Sequence, residues 1–156
     1  MINYIELIKI YWSYKETYFL NKIPEIACEA VINGENHPAI LELASLCNPD
    51  IPEIDDVLIK YYNEFHIPKN LAVHYLVLDI INKVIDKQIS LYEGTYEICQ
   101  YYYENEYPGE LINFWRLKYA YIEAITEEEK SECEKFIIDE CKKMQVNSKW
   151  LSTCSG

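Results

Sequence analysis

The sequence predicts an all-α fold of seven or eight helices, and three observations support this prediction. Apolar residues recur at spacings of about 3.6 along much of the chain, as on the buried faces of amphipathic helices. Glycine and proline are scarce, with 4 and 6 copies in 156 residues, whereas a sandwich or barrel of short strands needs many turns. Half of the residues are hydrophobic, which is enough for a sizeable core and excludes a disordered chain.

In the first half of the chain, proline and polar residues mark the predicted helix boundaries. Pro24 and Pro38 suit the first turn of a helix, where a missing N–H group costs no hydrogen bond. Asp50, with Glu53 three positions later, forms a capping-box pattern that starts another helix. The helices predicted in this half cover residues 2–20, 24–32, 38–46 and 50–65.

The second half contains the most hydrophobic predicted helix and two further capping patterns. Apolar residues cover a broad arc of residues 69–88, which predicts a central helix packed against several neighbours. Ser90 with Glu93 forms a capping box, and Thr126 precedes three glutamates that suit the positive end of a helix dipole. The helices predicted in this half cover residues 69–88, 90–107, 109–125 and 126–145.

The short connections between these helices indicate their arrangement. Short loops place consecutive helices antiparallel, so we expect helical hairpins in an orthogonal bundle or a short irregular stack. We find no internal repeat and no domain boundary, which predicts a single domain over residues 1–146. Residues 147–156 are expected to form a loose tail.

Composition excludes several classes of function. The net charge of −12 disfavours direct binding of nucleic acid, which needs a positive surface. Phosphate-loop, dinucleotide, nucleophile-elbow and zinc-protease motifs do not occur, and Arg116 is the only arginine. The six cysteines lack the close spacing of zinc ligands. We therefore expect no enzyme, no cofactor and no metal site.

The chain also lacks features of export and membrane insertion. Its first residues have no basic segment followed by an apolar core, and no apolar run approaches the roughly 20 residues that span a bilayer. The sequence therefore predicts a cytoplasmic protein with reduced cysteines and no membrane partner.

The strongest indication of a binding surface is a segment without basic residues. Residues 88–115 contain five acids and eight aromatics but no lysine or arginine. At 100° per residue, the helix in this segment places Leu91, Ile98 and Tyr102 towards the core. An acidic stripe bordered by tyrosines lies opposite and suits a protein interface, because tyrosine supplies rigid contact area and carboxylates steer a basic partner. The candidate residues are Glu93, Tyr96, Glu97, Gln100, Tyr101, Tyr103, Glu104, Glu106 and Tyr107.

A second base-free segment covers residues 23–59 and contains eight acids. Asp55 and Asp56 form a polar doublet near the start of a predicted helix, and we include both as candidate interface residues. If the preceding helix forms a hairpin with this one, Glu42 and Glu53 share an end of the molecule with the doublet.

In general character the chain resembles the small acidic immunity proteins of bacterial polymorphic-toxin and contact-dependent inhibition systems. The resemblance covers the whole chain and rests on its length, the base-free segments, the tyrosine-rich residues 101–107 (YYYENEY) and the lack of catalytic motifs. These proteins share no common motif, so no residue role is carried over. The resemblance implies a non-catalytic module that neutralises a basic toxin domain, often a nuclease, by covering its active site or a neighbouring surface.

Two alternatives remain open at this stage. An uncharacterised helical enzyme could use His74 or His66 with carboxylates and a cysteine. His74 falls within the apolar arc of the central helix and is more typical of a core histidine, and His66 is expected at the end of a helix. The chain could also be an adaptor subunit whose aromatic surface is a permanent interface.

Overall fold

The computed structural model describes residues 3–14, 21–63, 65–106 and 108–146. Within these ranges the chain forms eight α-helices, one short 3-10 turn at Gly109–Leu111 and no strand, which confirms the predicted all-α class. The helices are α1 (Tyr4–Tyr14), α2 (Lys22–Ile32), α3 (Pro38–Ala44), α4 (Ile51–Tyr61), α5 (Lys69–Ile85), α6 (Leu91–Glu104), α7 (Ile112–Glu123) and α8 (Glu127–Val146).

The helices belong to two compact units, residues 1–76 and residues 77–156, and the boundary falls within α5. The prediction of a single domain over residues 1–146 stays a prediction. The tail at 147–156 and residues 15–20 of the first predicted helix lie outside the described residues.

In the first unit, consecutive helices pack against each other, as expected from their short connections. The fully buried side chains of this unit include Ile8, Ile23, Ile40, Leu43, Ile54 and Leu58. The Ser13 hydroxyl also ties the segment after α4 to α1, because it accepts a hydrogen bond from the Ile67 N–H at 2.7 Å and donates to the Ile67 carbonyl at 3.2 Å.

In the second unit, α6 packs against both α7 and α8. It also approaches α5 closely at Gly94, where an added Cβ would collide with the Val84 side chain. The missing Cβ of Gly94 therefore leaves room for the Val84 side chain between the two helices. Ile81, Ile98, Leu111 and Phe114 are fully buried in this unit.

Three predicted helix starts are confirmed by capping hydrogen bonds, whereas α2 begins at Lys22 instead of residue 24 and α7 at Ile112 instead of residue 109. The side chains of Asp50, Ser90 and Thr126 each accept a hydrogen bond from the backbone N–H three residues later, at 2.9, 3.1 and 3.1 Å respectively. The Glu129 carboxylate completes the last box by accepting from the N–H of Ile125 at 2.9 Å.

Three predicted helix ends lie three or four residues too far along the chain, and one of them belongs to α6, which ends at Glu104 instead of residue 107. α4 ends at Tyr61 instead of residue 65, because the backbone becomes extended at Tyr62. His66 therefore lies in an irregular segment and not at a helix end. α5 ends at Ile85 instead of residue 88, and a left-handed residue, Lys87, turns the chain towards α6.

Candidate protein-binding surface

The buried side of α6 is wider than the sequence predicts. Ile98 and Tyr102 face the core as expected, with 1% and 7% of their surface exposed. Thr95 and Cys99 are buried as well. Tyr101, predicted to border the acidic stripe, is only 1% exposed, so this residue is wrongly placed in the candidate interface. The buried arc is broad because α6 has helices packed against it on more than one side.

The acidic stripe of α6 is retained, although its members differ in exposure. Glu93 and Glu104, at the two ends, are exposed, whereas Glu97 and Gln100 in the middle are partly buried. Glu106 is exposed just beyond the helix, in a left-handed conformation with φ of 59°. Tyr107 lies outside the described residues. The stripe therefore presents carboxylates to solvent mainly at its ends.

The edge of the acidic stripe that carries Tyr96 and Tyr103 faces α7. This helix contributes residues that sequence analysis did not select. The Trp115 indole N–H donates a hydrogen bond to the Tyr103 hydroxyl at 3.1 Å. The Lys118 ammonium lies 4.8 Å from the centre of the Tyr96 ring and 5.9 Å from that of Tyr103. The Tyr119 ring packs edge-on against Trp115, with ring centres 5.1 Å apart. A cation thus sits among the tyrosines that border the stripe.

These side chains form one exposed aromatic patch. Tyr92 stacks with Tyr96 at 6.5 Å between ring centres, which extends the patch towards the start of α6. Four of its tyrosines remain substantially exposed, with exposed fractions of 37–44%. We call this patch the α6–α7 aromatic surface; it comprises Tyr92, Tyr96, Tyr103, Trp115, Lys118 and Tyr119.

The α6–α7 aromatic surface is held in a defined geometry. The pKa of Tyr103 is raised above its usual value. The larger cause is a hydrogen bond with Tyr119, and the smaller one is partial burial. The Tyr103 hydroxyl, like that of an ordinary tyrosine, is protonated at neutral pH and can both donate and accept hydrogen bonds. Contacts with Lys118 and Trp115 restrict the rings before any partner arrives, which lowers the entropy lost on binding.

A signal for the missed residues was present in the sequence. Trp115, Lys118 and Tyr119 are spaced three and four positions apart and so share one face of α7. Only their pairing with Tyr96 and Tyr103 depends on how α7 packs against α6, which periodicity within one helix does not specify.

The acids of the second base-free segment do not share one end of the molecule. The Glu42 carboxylate accepts from the Lys60 ammonium at 2.9 Å and from the Tyr61 hydroxyl at 2.9 Å, at the C-terminal end of α4. Glu53 lies in the first turn of α4, so the expectation that groups it with Glu42 is wrong. The contacts with Lys60 and Tyr61 place the Glu42 carboxylate beside the last turn of α4.

The neighbouring residues Asp55 and Asp56 have different surroundings: Asp55 joins two helices and Asp56 is exposed. The Asp55 carboxylate is partly buried and accepts a hydrogen bond of 2.6 Å from the Trp12 indole, which joins α4 to α1. Asp56 is exposed on the polar face of α4. Of the two candidates, only Asp56 offers a carboxylate directed to solvent.

Burial favours the neutral forms of three titratable side chains, those of His74, Cys99 and Cys141. Burial lowers the pKa of His74 to about 4, so the ring is neutral at pH 7 while only 1% exposed. Burial raises the pKa of the Cys99 and Cys141 thiols to about 11 and about 12, so neither supplies a thiolate at neutral pH. Among the described residues, no three histidine, cysteine or carboxylate side chains converge in a way that could hold a metal ion.

Comparison with protein-family models, curated proteins and solved structures finds no match to this chain. In the described part of the chain, no helix combines the length and the apolar character needed to cross a bilayer.

Proposed function

We propose that this protein is a non-catalytic, cytoplasmic immunity protein that binds and neutralises a basic toxin domain. The observation that carries the proposal is the α6–α7 aromatic surface beside exposed carboxylates. Tyrosine and tryptophan are the residues that most often anchor protein interfaces, and four tyrosines of this surface keep 37–44% of their area exposed.

Charge supports a basic partner. The chain carries 26 acidic and 14 basic residues, and Glu93 and Glu104 place carboxylates at both ends of the stripe. Long-range attraction of this kind accelerates the encounter with a positively charged partner, whereas buried aromatic anchors slow its release.

The position of Lys118 refines this proposal. Its ammonium lies within 6 Å of the Tyr96, Tyr103 and Tyr119 ring centres, so the middle of the aromatic surface is not acidic. We therefore assign steering to the acidic stripe and contact energy to the aromatic rings. An acidic or backbone carbonyl group of the partner is the natural counterpart of Lys118.

The experiment tests neutralisation directly. The product of the adjacent reading frame is expressed under an inducible promoter, with and without this protein. The proposal predicts that the product arrests growth alone, and that coexpression restores growth through a stoichiometric complex. A product that is harmless alone, or one whose toxicity persists despite complex formation, would overturn the immunity function and favour an adaptor subunit.

Substitutions on the aromatic surface test where the complex forms. Tyr96→Ala is expected to weaken binding by about 1–3 kcal/mol, since truncated aromatic anchors usually cost this much. Ile59→Ala, which truncates an exposed side chain of α4, is the matched control and is expected to leave binding unchanged. If both variants bind as tightly as the native chain, the interface lies elsewhere.

A further inference from the structure

A cavity in the second unit is lined by none of the residues assigned to the proposed interface. The turn between α5 and α6 and one face of α8 border a half-open cavity of about 640 Å³, which is within the usual range of volume for small-ligand pockets. Branched aliphatic side chains supply its walls: Val84, Ile85, Leu91 and Ile138.

The charged residues at this cavity have the opposite sign to the chain as a whole. Lys87 and Lys142 are its only ionisable lining residues among those described, and both are exposed. The chain has a net charge of −12, so a cavity lining with two ammonium groups and no carboxylate differs in sign from the molecule as a whole. Apolar walls with a cationic rim are complementary to a molecule that has an alkyl body and an anionic head.

Lys87 occupies the turn that ends α5 and lines the cavity. Lys87 has φ of 59°, a left-handed conformation that glycine adopts without strain and lysine does not. The Lys87 N–H bonds to the Val84 carbonyl at 3.1 Å, and the Gln88 N–H bonds to the Lys83 carbonyl at 2.8 Å, as in the helix ending that normally uses glycine. The end of α5 thus accounts for the left-handed turn, and this turn brings Lys87 into the lining of the cavity.

We propose that this cavity binds the anion of a medium-chain fatty acid, with the alkyl chain between α5, α6 and α8 and the carboxylate at Lys87 and Lys142. The proposed ligand is a single fatty-acid molecule from solution and not a lipid membrane, because the site is a cavity of limited volume. This binding site is independent of the proposed toxin interface and does not rest on it.

Calorimetric titration of the full chain with decanoate, below its micellar concentration, tests the proposal. We expect saturable binding of one decanoate, binding by 1-decanol that is about threefold to fivefold weaker, and no binding of decyltrimethylammonium. Equal binding of decanoate and decanol would overturn the role of the lysines. If the chain adsorbs to anionic or neutral vesicles but shows no saturable binding of decanoate, the proposal that the ligand is a fatty-acid anion free in solution is wrong.

Two lysine variants test whether Lys87 and Lys142 bind the carboxylate. Lys87→Gly is expected to weaken decanoate binding by about threefold to fivefold. The same change relieves the left-handed strain and raises the melting temperature by about 2 °C, so weaker binding cannot be attributed to misfolding. Lys142→Gln is expected to weaken binding similarly.

Lys143→Gln is the matched control for Lys142→Gln. Lys143 is the next residue of α8, pairs with Glu140 at 3.8 Å and does not line the cavity, so its loss should leave the affinity unchanged. Unchanged affinity in Lys87→Gly and Lys142→Gln, or an equal loss in Lys143→Gln, would contradict the proposed site.

Discussion

At the scale of single residues, neighbouring acids that look alike in the sequence have different roles. Asp55 accepts the hydrogen bond of the Trp12 indole, whereas Asp56 is exposed. Asp55→Ala is expected to lower the free energy of unfolding by about 1–3 kcal/mol, because it leaves a partly buried donor without this acceptor. Urea denaturation measures the loss, and Asp56→Ala serves as the control. Equal effects of the two substitutions would show that the hydrogen bond contributes nothing.

His74 provides a second prediction at this scale. Its pKa in the folded chain is about 4, below its ordinary value of 6.5, because burial disfavours the charged ring. The unfolded chain therefore binds a proton first, and stability falls as the pH drops from about 6.5 towards 4.

Acid denaturation of His74→Gln tests this effect. The native chain is expected to lose about 3 kcal/mol of stability through His74 across that pH window, and the variant should lack this component. His66→Gln, which removes an exposed histidine, is expected to keep it. A native-like pH slope in His74→Gln would show that other groups cause the acid sensitivity.

At the scale of helices, local sequence predicts beginnings better than ends. Asp50, Ser90 and Thr126 each mark the helix start that their capping hydrogen bonds confirm, because capping involves residues only three positions apart. The ends depend on tertiary contacts. After Tyr61 the chain leaves the helix and reaches Ile67, which Ser13 holds in place from α1.

Packing between helices also explains the errors at the candidate site. The periodicity of α6 places Ile98 and Tyr102 correctly, yet Tyr101 is buried because further helices pack against α6. Trp115 and Lys118 join the site from another helix, and no pattern within α6 could indicate them. The sequence therefore predicts the acidic stripe and the bordering tyrosines Tyr96 and Tyr103, but not the side chains that α7 adds to them.

Gly94 gives a prediction for the contact of α5 with α6. Gly94→Ala normally favours an isolated helix, but here the new Cβ collides with the Val84 side chain. We expect a net loss of about 1–3 kcal/mol in the free energy of unfolding, measured in urea. The double variant with Val84→Ala should lose less than the two single losses combined. Additive losses, or a more stable Gly94→Ala, would contradict the close approach.

At the scale of the whole molecule, the excess of acids opposes folding. With a net charge of −12, repulsion outweighs the few exposed ion pairs, which contribute little individually. We expect the melting temperature to rise between 20 and 200 mM NaCl as the repulsion is screened. Salt also weakens the attraction in the exposed ion pair between Lys60 and Glu42, which by itself lowers the melting temperature. A melting temperature that falls with salt would show that such pairs dominate.

The central claim, that the acidic stripe of α6 steers a basic toxin domain, depends on where the charge lies. One variant replaces Glu93, Glu97 and Glu104 by lysine. A control variant replaces three exposed glutamates outside α6 and α7 by lysine, which gives the same net charge. The control residues are Glu29, Glu35 and Glu132.

The most direct measurement is the association rate constant of the native chain and both variants with the product of the adjacent reading frame, which is the proposed toxin, at low and high salt. Circular dichroism first confirms that all three are equally helical. At low salt the account predicts association at least about tenfold slower for the stripe variant than for the control variant, and similar rates at high salt. Equal rates for the two variants at low salt would contradict the claim.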